Sequence, residues 1–271
     1  MSAASYPNFA GKHAEEAIFT PADFVAYLQQ VGALSAAEPP AGIVFCYQRS
    51  LYSHVLRTEG IRPPERRDAL HGIVCLPSTG GRVALLYHSG IGAPAAAASL
   101  EELAALGTSR FVSIGTAGSL QRDLLPGDLV LCEAAIRDEG VSHHYLPPAK
   151  LATADADLTS ALRAAMTLRG LRFRAGTSWT IDTPYRETVA EARHYQAENV
   201  LCVEMEAAAL FAVAEVRGLR VASAFTISDS LADLVWNPRF HDPEVEAGLI
   251  ALYGAALSAL LEGPGGDAGP S

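Results

Sequence analysis

Cysteine is scarce in this chain, and the few cysteines are not spaced for metal binding. Only four of the 271 residues are cysteine, at positions 46, 75, 132 and 202, and no two form a Cys-x-x-Cys pair. Structural metal sites and disulfide frameworks use closely spaced cysteines, so neither is predicted. We expect all four to be small, buried and reduced side chains of a cytoplasmic protein.

The chain also lacks a basic excess and a long apolar run. It carries 20 Lys and Arg against 30 Asp and Glu, a formal net charge of −10. This charge argues against nucleic acid or an anionic membrane as a partner, because few cations are available to neutralise phosphate groups. We find no uninterrupted stretch that predicts a membrane span, and no apolar signal-peptide core near the first residues. A soluble, cytoplasmic protein is expected.

What the sequence does contain is a steady alternation of strand-like and helix-like segments. GIVFCY (42–47), RVALLYH (82–88) and LRVASAFTIS (219–228) predict strands, whereas APAAAASLEELAALG (93–107) and residues 243–263 predict helices. This rhythm predicts a single α/β domain, with a mixed central β-sheet flanked by helices on both faces.

The domain is expected to span residues 20–262. Residues 1–19 are polar and lack periodicity, and therefore form either a flexible N-terminal arm or an arm that reaches a neighbouring subunit. Residues 263–271, rich in Gly and Pro, predict a disordered tail.

Three turn-like segments follow predicted strands, where ligands gather in open α/β sheets. HSGIGAP (88–94) is either a tight turn or a backbone cradle for an anion at a helix N-terminus. In SIGTAGSL (113–120), two glycines flank Thr116, so backbone amides and one hydroxyl can approach a ligand. In FTISDSLAD (225–233), Asp229 is either a helix cap or an acid that donates a proton.

Two carboxylates, Glu204 and Glu206, stand with Met205 at the entrance to the apolar segment 207–218. Burying an unpaired charge is costly, so each carboxylate should have a partner or a task.

Together these segments resemble the purine-nucleoside and uridine phosphorylase family. Residues 90–120 look like its central stretch, CVEMEAAAL (202–210) like its Glu-Met-Glu signature, and TISDS (226–230) like its purine-branch Ser-Asp. The resemblance runs from about residue 82 to 235. It implies a nucleoside-phosphorylase-like fold, cleavage of a nucleoside with phosphate as co-substrate, no further cofactor or metal, and a homo-oligomer, either a dimer or a hexamer.

The resemblance also implies roles for particular residues. Glu206 would accept hydrogen bonds from the ribose 2′- and 3′-hydroxyls and favour the cationic transition state, and Met205 would pack on the sugar. Ala117 and Gly118 would line the base. Asp229 would protonate N7 or hydrogen-bond to it, which favours purines over uridine.

Further contacts are implied around this centre. Gly92 and Thr116 would supply an amide and a hydroxyl to phosphate, Arg186 would contact base or phosphate, and His13 would reach the ribose 5′-hydroxyl of a neighbouring subunit. Glu204 would be structural, bonded to backbone amides or to an arginine.

The chain departs from the family at the phosphate site. Ser113 stands where phosphorolytic members have an arginine, and GIVFCYQRSLY (42–52) replaces their N-terminal phosphate loop, with Arg49 the nearest cation. The arginines that could compensate are Arg49, Arg66, Arg67, Arg137 and Arg186.

Three alternatives therefore stay open: a hydrolytic nucleosidase, a uridine phosphorylase, and a non-catalytic nucleoside-binding protein. A nucleosidase would use Glu15 or Glu16 to activate water. His143 and His144 are expected in a loop bordering the pocket, without metal-ligand spacing.

Overall fold

The computed structural model describes residues 6–34, 38–62, 73–87 and 90–262, and in them helices and strands alternate as predicted. The helices are α1 (Pro21–Gln30), α2 (Arg49–Thr58), α3 (Ala93–Ala105), α4 (Ser142–Tyr145), α5 (Ala156–Leu168), α6 (Val189–Ala197), α7 (Ala207–Arg217) and α8 (Pro243–Leu261). The strands are β1 (Gly42–Cys46), β2 (Ile73–Cys75), β3 (Val83–Tyr87), β4 (Arg110–Ser119), β5 (Leu129–Asp138), β6 (Leu151–Thr153), β7 (Phe173–Ile181), β8 (Cys202–Glu204), β9 (Arg220–Ser230) and β10 (Asn237–Pro238). The predicted tail at 263–271 lies outside the described residues.

Local sequence signals account for several helix ends. The Thr20 side chain accepts from the backbone N–H of Asp23, whose carboxylate accepts from the backbone N–H of Thr20, so the N-cap donor and one first-turn donor of α1 are satisfied. Pro21 follows, at a position where a missing N–H costs nothing. Helix α7 ends at Gly218, whose φ of 65° is a left-handed conformation that glycine adopts without strain.

The central sheet closes on itself over part of its width. Strand β4 runs parallel to β9, β9 pairs antiparallel with β5, and β5 runs parallel to β7. Strand β7 in turn runs parallel to β8, which pairs antiparallel with β4. These five strands form a ring, and β1, β3 and β2 extend the sheet from β4. The predicted mixed sheet is confirmed.

Buried apolar side chains lie on both faces of this sheet, as the fold prediction requires. One cluster includes residues of α3 and α7, and the other includes residues of α2, α5 and α8. Helix α8 is long and apolar enough to cross a membrane by length and composition, so the expectation that no such stretch exists was wrong. Half of the apolar window is buried, and the helix packs on β4, β9 and α5 as a core helix.

The structure corrects four further expectations. The segment predicted as a turn after residue 115 continues as strand β4 through Ser119. Asp229 lies inside β9 and the next helix begins at Pro243, so the helix-cap interpretation is wrong. Cys75 is exposed, because β2 is an edge strand, whereas the other three cysteines are buried. His143 and His144 lie in the short helix α4 and not in a loop.

Candidate active site

Glu204 closes the N-terminus of helix α7. Its Oε2 accepts hydrogen bonds from the backbone N–H groups of Glu206 and Ala207, at 2.8 and 2.7 Å. Its Oε1 accepts from the hydroxyls of Ser178, at 3.0 Å, and Thr180. A helix start leaves backbone donors without intrahelical partners, and this carboxylate satisfies two of them. Glu204 is therefore structural, as expected, and among the described residues its partners are amides and hydroxyls rather than an arginine.

Glu206 is hydrogen-bonded to the segment that precedes helix α3. The backbone N–H of Gly92, immediately before α3, donates to its Oε1 at 2.7 Å. Gly92 has a φ of 98°, which strains any residue with a side chain, and Met205 Cε lies 3.9 Å from the position that a Cβ on Gly92 would occupy. The structure thus brings Gly92, Met205 and Glu206 together.

Two side chains that follow β1 line the adjacent part of β4. The hydroxyls of Tyr47 and Ser113 are 3.0 Å apart, and Gln48 Nε2 donates to Thr116 Oγ1 at 3.1 Å. The Tyr47 ring would lie 3.3 Å from a Cβ placed on Gly115, so a side chain there would make a tight contact with the ring. Sequence reasoning considered this segment only for Arg49 and missed Tyr47 and Gln48. Their position directly after a strand was the signal available.

Asp229 lies on the other side of β4 from this group, at an irregularity in the pairing of β4 with β9. Ala117 pairs with Ile227, but Gly118 pairs with Asp229, so Ser228 is the extra residue of a bulge. Ser228 donates to Asp229 Oδ1 at 2.8 Å, and the indole N–H of Trp236 donates to Oδ2 at 3.0 Å. Oδ2 lies 3.0 Å from the position of a Cβ on Gly118, so a larger residue there would collide with the carboxylate.

Burial controls the ionisation of these groups. Burial, and then the neighbouring charge of Glu204, raise the pKa of Glu206 to about 8, against the lowering effect of the Gly92 N–H. Burial also raises the pKa of Asp229, opposed by its hydrogen bonds from Ser228 and Trp236. The pKa values of both carboxyls are therefore higher than those of exposed carboxyls. Such raised pKa values are common in groups that exchange protons at functional sites.

A third carboxyl, Glu187, interacts electrostatically with Asp229 and was missed from the sequence. It is half-buried in the segment between β7 and α6. Burial, followed by the charges of Asp229 and Glu191, raises its pKa to about 7. A carboxyl group of this kind gives no periodic or motif signal, because its proximity to Asp229 arises only in the folded chain.

The structure does not join the expected arginines to this group. Arg49 and Arg186 are exposed, and within the described residues neither side chain forms a hydrogen bond or ion pair with it. Arg137 is buried, but its guanidinium donates to Ser142 and to the carbonyls of Leu146 and Pro147. Arg137 therefore stabilises the α4 segment. Arg66 and Arg67 lie outside the described residues.

The N-terminal residues line a separate groove. His13, Glu15 and Glu16 border a cavity of about 1140 Å³ whose other wall includes Tyr145 and Arg217. Arg217, the last residue of α7, lies at this groove, whereas Glu206, which precedes the first residue of α7, is not among the residues that line it. His144 borders the groove as well, and His143 hydrogen-bonds to the carbonyl of Arg137.

These groups lie near the carboxyl ends of the parallel strands β1, β4 and β9, the place where open α/β sheets bind small molecules. They are the buried carboxyl of Glu206 beside the backbone N–H of Gly92, the buried carboxyl of Asp229 beside Gly118, and the hydroxyls of Tyr47 and Ser113. Within the described residues, no group of three or more His, Cys, Asp and Glu could hold a metal ion.

Comparison with known proteins identifies the family of this site. Residues 50–257 match the family model of the phosphorylase superfamily, and the chain belongs to that family. It is 33% identical over 179 residues to a uridine phosphorylase of Thermococcus kodakarensis, covering 60% of this chain and 62% of that protein. It is 34% identical over 143 residues to a guanosine phosphorylase of Halorubrum lacusprofundi, covering 53% and 59%.

A solved structure shows the same fold. The purine nucleoside phosphorylase of Toxoplasma gondii, in complex with immucillin-H, matches with a TM-score of 0.73 at 20% identity, covering 84% of this chain and 92% of that one. The chain spans about 60% of the length of the two curated relatives in sequence alignment. The predicted family and fold are confirmed.

Proposed function

We propose that the chain cleaves the N-glycosidic bond of a nucleoside with phosphate, releasing the free base and ribose 1-phosphate, and that it favours purines. A phosphate oxygen forms a bond to C1′ as the C1′–N bond breaks, and the electron pair of that bond leaves with the base. The observation that carries the proposal is the pairing of Glu206 with the Gly92 amide, on the opposite side of β4 from Asp229.

Glu206 is suited to the sugar. Burial disfavours its carboxylate form and raises its pKa to about 8. A sugar that becomes cationic as the bond breaks offsets that penalty, so the carboxylate interacts more strongly with the transition state than with the substrate. Met205, half-buried beside Gly92, would pack on the ribose.

Asp229 is suited to the base. A departing purine carries the electron pair of the broken bond, and protonation at N7 makes it a better leaving group. The raised pKa of Asp229 favours a protonated acid that can supply this proton. Several relatives are uridine phosphorylases by name, so purine preference rests on Asp229 alone.

Hydrolysis by water is the second candidate, and the Tyr47–Ser113 pair favours it. A phosphate dianion is usually held by cations through charge-assisted hydrogen bonds. At Ser113 the structure instead provides two neutral hydroxyls 3.0 Å apart, next to Gln48 and Thr116. Such a group of neutral side chains suits water better than a phosphate dianion as the acceptor of the sugar.

The deciding experiment measures release of free base from inosine, guanosine, adenosine and uridine, with and without phosphate. Release that saturates with phosphate and yields ribose 1-phosphate supports phosphorolysis, and faster release from the purine nucleosides supports purine preference. Steady release of ribose in the absence of phosphate would replace the proposal with hydrolysis. Tight nucleoside binding without release would indicate a binding protein.

A further inference from the structure

The chain folds back over Asp229 immediately after β9. Strand β10 pairs antiparallel with the end of β9, with Asn237 opposite Ser230 and Pro238 opposite Asp229. At the turn of this hairpin, Leu234 has a φ of 61°, which is uncommon for a residue other than glycine. Backbone strain of this kind persists only where the surrounding structure holds it, and it concentrates at functional sites.

Trp236 is the residue of the hairpin that reaches the acid. Its indole N–H donates to Asp229 Oδ2 at 3.0 Å, yet 61% of the residue is exposed. Its neighbour Val235 is 71% exposed. An exposed indole gains little from burial, so the hydrogen bond to Asp229, the hairpin and a ring contact with Phe240 keep it in place.

The contact is made to the oxygen that faces the site. Oδ1 of Asp229 is occupied by the hydroxyl of Ser228, whereas Oδ2 lies toward Gly118. The indole can only donate, so a proton carried by Oδ2 must lie away from Trp236. With Ser228 on one oxygen and Trp236 on the other, both edges of the carboxyl group are fixed.

We propose that Trp236 is a positioning residue for the base-side acid: its indole N–H holds Oδ2 of Asp229, so that the acid's proton is directed over Gly118 toward the bound base. The inference rests on the proposed function, in which Asp229 is the proton donor. Trp236 acts through Asp229 and needs no contact with the base.

Three other charged groups accompany this pair. Glu187 faces Asp229 from the segment before α6, and Asp233 on the hairpin is paired with Arg122 at 2.8 Å. The donors Ser228 and Trp236 both lower the pKa of Asp229, against the larger opposing effect of burial. Removing the indole N–H should therefore raise the pKa of Asp229 further, whereas the Arg122–Asp233 pair is left unchanged.

The first test is the pH dependence of kcat/KM for a purine nucleoside in Trp236→Phe, which keeps an aromatic ring but removes the N–H. Activity that requires protonated Asp229 falls at high pH, and this alkaline limb should move upward by about one pH unit when one hydrogen bond to the carboxylate is lost. Val235→Ala, an exposed neighbour in the same hairpin, should leave the limb in place. An unmoved limb in Trp236→Phe would overturn the positioning role.

The second test does not depend on turnover. The chain has two tryptophans, so labelling with 5-fluorotryptophan gives two ¹⁹F resonances, assigned by Trp236→Phe. The Trp236 resonance should titrate in the wild type and lose that titration in Asp229→Asn. Trp179, which donates to Asp138 at 2.9 Å, serves as the internal control and should be unaffected by Asp229→Asn.

The two tests separate the two proposals. If the wild type releases no base from any nucleoside, the proposed function fails, and the ¹⁹F titration still tests the Trp236–Asp229 bond. A Trp236 resonance that is the same in wild type and Asp229→Asn at every pH overturns the inference even in an active enzyme.

Discussion

The backbone N–H of Gly92 and the carboxylate of Glu206 are joined by a 2.7 Å hydrogen bond, although 114 residues separate them along the chain. The bond links the start of α3 to the start of α7, the two helices that pack together on one face of the sheet. It therefore connects the glycine turn after β3 with the carboxyl group proposed to meet the sugar.

Glu206→Gln should impair turnover much more than folding. The carboxamide is nearly isosteric and its carbonyl can still accept from Gly92, but it cannot carry the negative charge that a cationic sugar requires. Loss of one such electrostatic contact costs about 10²–10³-fold in kcat. Steady-state kinetics would measure it, with Glu246→Gln on the exposed side of α8 as control. Wild-type rates in Glu206→Gln would disprove the ribose assignment.

Stability should decline as the pH rises toward 8. The folded protein raises the pKa of Glu206 from 4.5 to about 8, so between these values it binds a proton that the unfolded chain has released. The free energy of unfolding must then fall as the pH rises through this window and level off above it. Glu187, with a pKa of about 7, acts in the same direction.

Melting temperatures across this pH range would check the decline. In Glu206→Gln, the melting temperature should fall less steeply with pH, and the variant should gain stability relative to wild type as the pH increases. A wild-type protein that became more stable between pH 5 and 8 would contradict the assigned direction.

Glu204→Ala should destabilise the fold. Four donors lose their acceptor, two of them backbone N–H groups at the start of α7. Each buried donor left without a partner costs about 1–3 kcal/mol, and a total loss of at least about 3 kcal/mol follows even after partial relaxation. Urea unfolding would measure the loss, and Glu246→Ala, at an exposed position of α8, should change stability by less than about 0.5 kcal/mol. A small loss of stability in Glu204→Ala, comparable to that in Glu246→Ala, would show that Glu204 does not stabilise the start of α7.

Asp229→Asn should slow poor leaving groups selectively. The amide can donate to N7 but cannot transfer a proton, and loss of a general acid typically costs about 10²–10⁴-fold. The comparison is between inosine and a nucleoside whose base departs readily without protonation, such as a 7-methylated purine nucleoside. Equal losses on both substrates would assign Asp229 a structural role.

Ser113→Arg combined with Tyr47→Ala should strengthen phosphate binding. Ser113 is buried and its hydroxyl contacts Tyr47, so an arginine alone has no room, and removal of the phenol ring provides it. One added charge-assisted hydrogen bond is worth about 1.5–3 kcal/mol, roughly ten- to a hundredfold in affinity. The apparent KM for phosphate should fall relative to Tyr47→Ala alone. No fall would show that the acceptor does not bind at Ser113.

Much of the fold, and the position of Glu206 in the candidate site, was predictable from the sequence. Apolar periodicity placed α3 and α8 near their observed bounds, and the Glu-Met-Glu signature placed Glu206 at the entrance to the apolar segment that forms α7. These features depend on residues close together in the chain, where spacing and propensity decide the structure.

The remaining features depend on register between distant segments. Tyr47 reaches Ser113 across 66 residues, and Trp236 reaches Asp229 because β10 folds back on β9. The bulge at Ser228, which brings Asp229 opposite Gly118, adds one residue to β9 without any glycine or proline to signal it. Sequence periodicity carries no information about such pairings, and this explains why Tyr47, Gln48, Glu187 and Trp236 were missed.

The ring formed by β4, β9, β5, β7 and β8 has a mechanical consequence for the site. Gly118 faces Val203 of β8 on one side and Asp229 of β9 on the other, and these two strands are also connected the long way round, through β5 and β7. In an open sheet, the register between two neighbouring strands can shift while the other pairings stay unchanged. In this closed ring, a register shift at one pairing must be matched by shifts at the other pairings. The distance between Asp229 on β9 and the start of α7, which follows β8, is thus fixed by two separate paths through the sheet. We therefore expect thermal motion around the site to come from the loops and not from the strands.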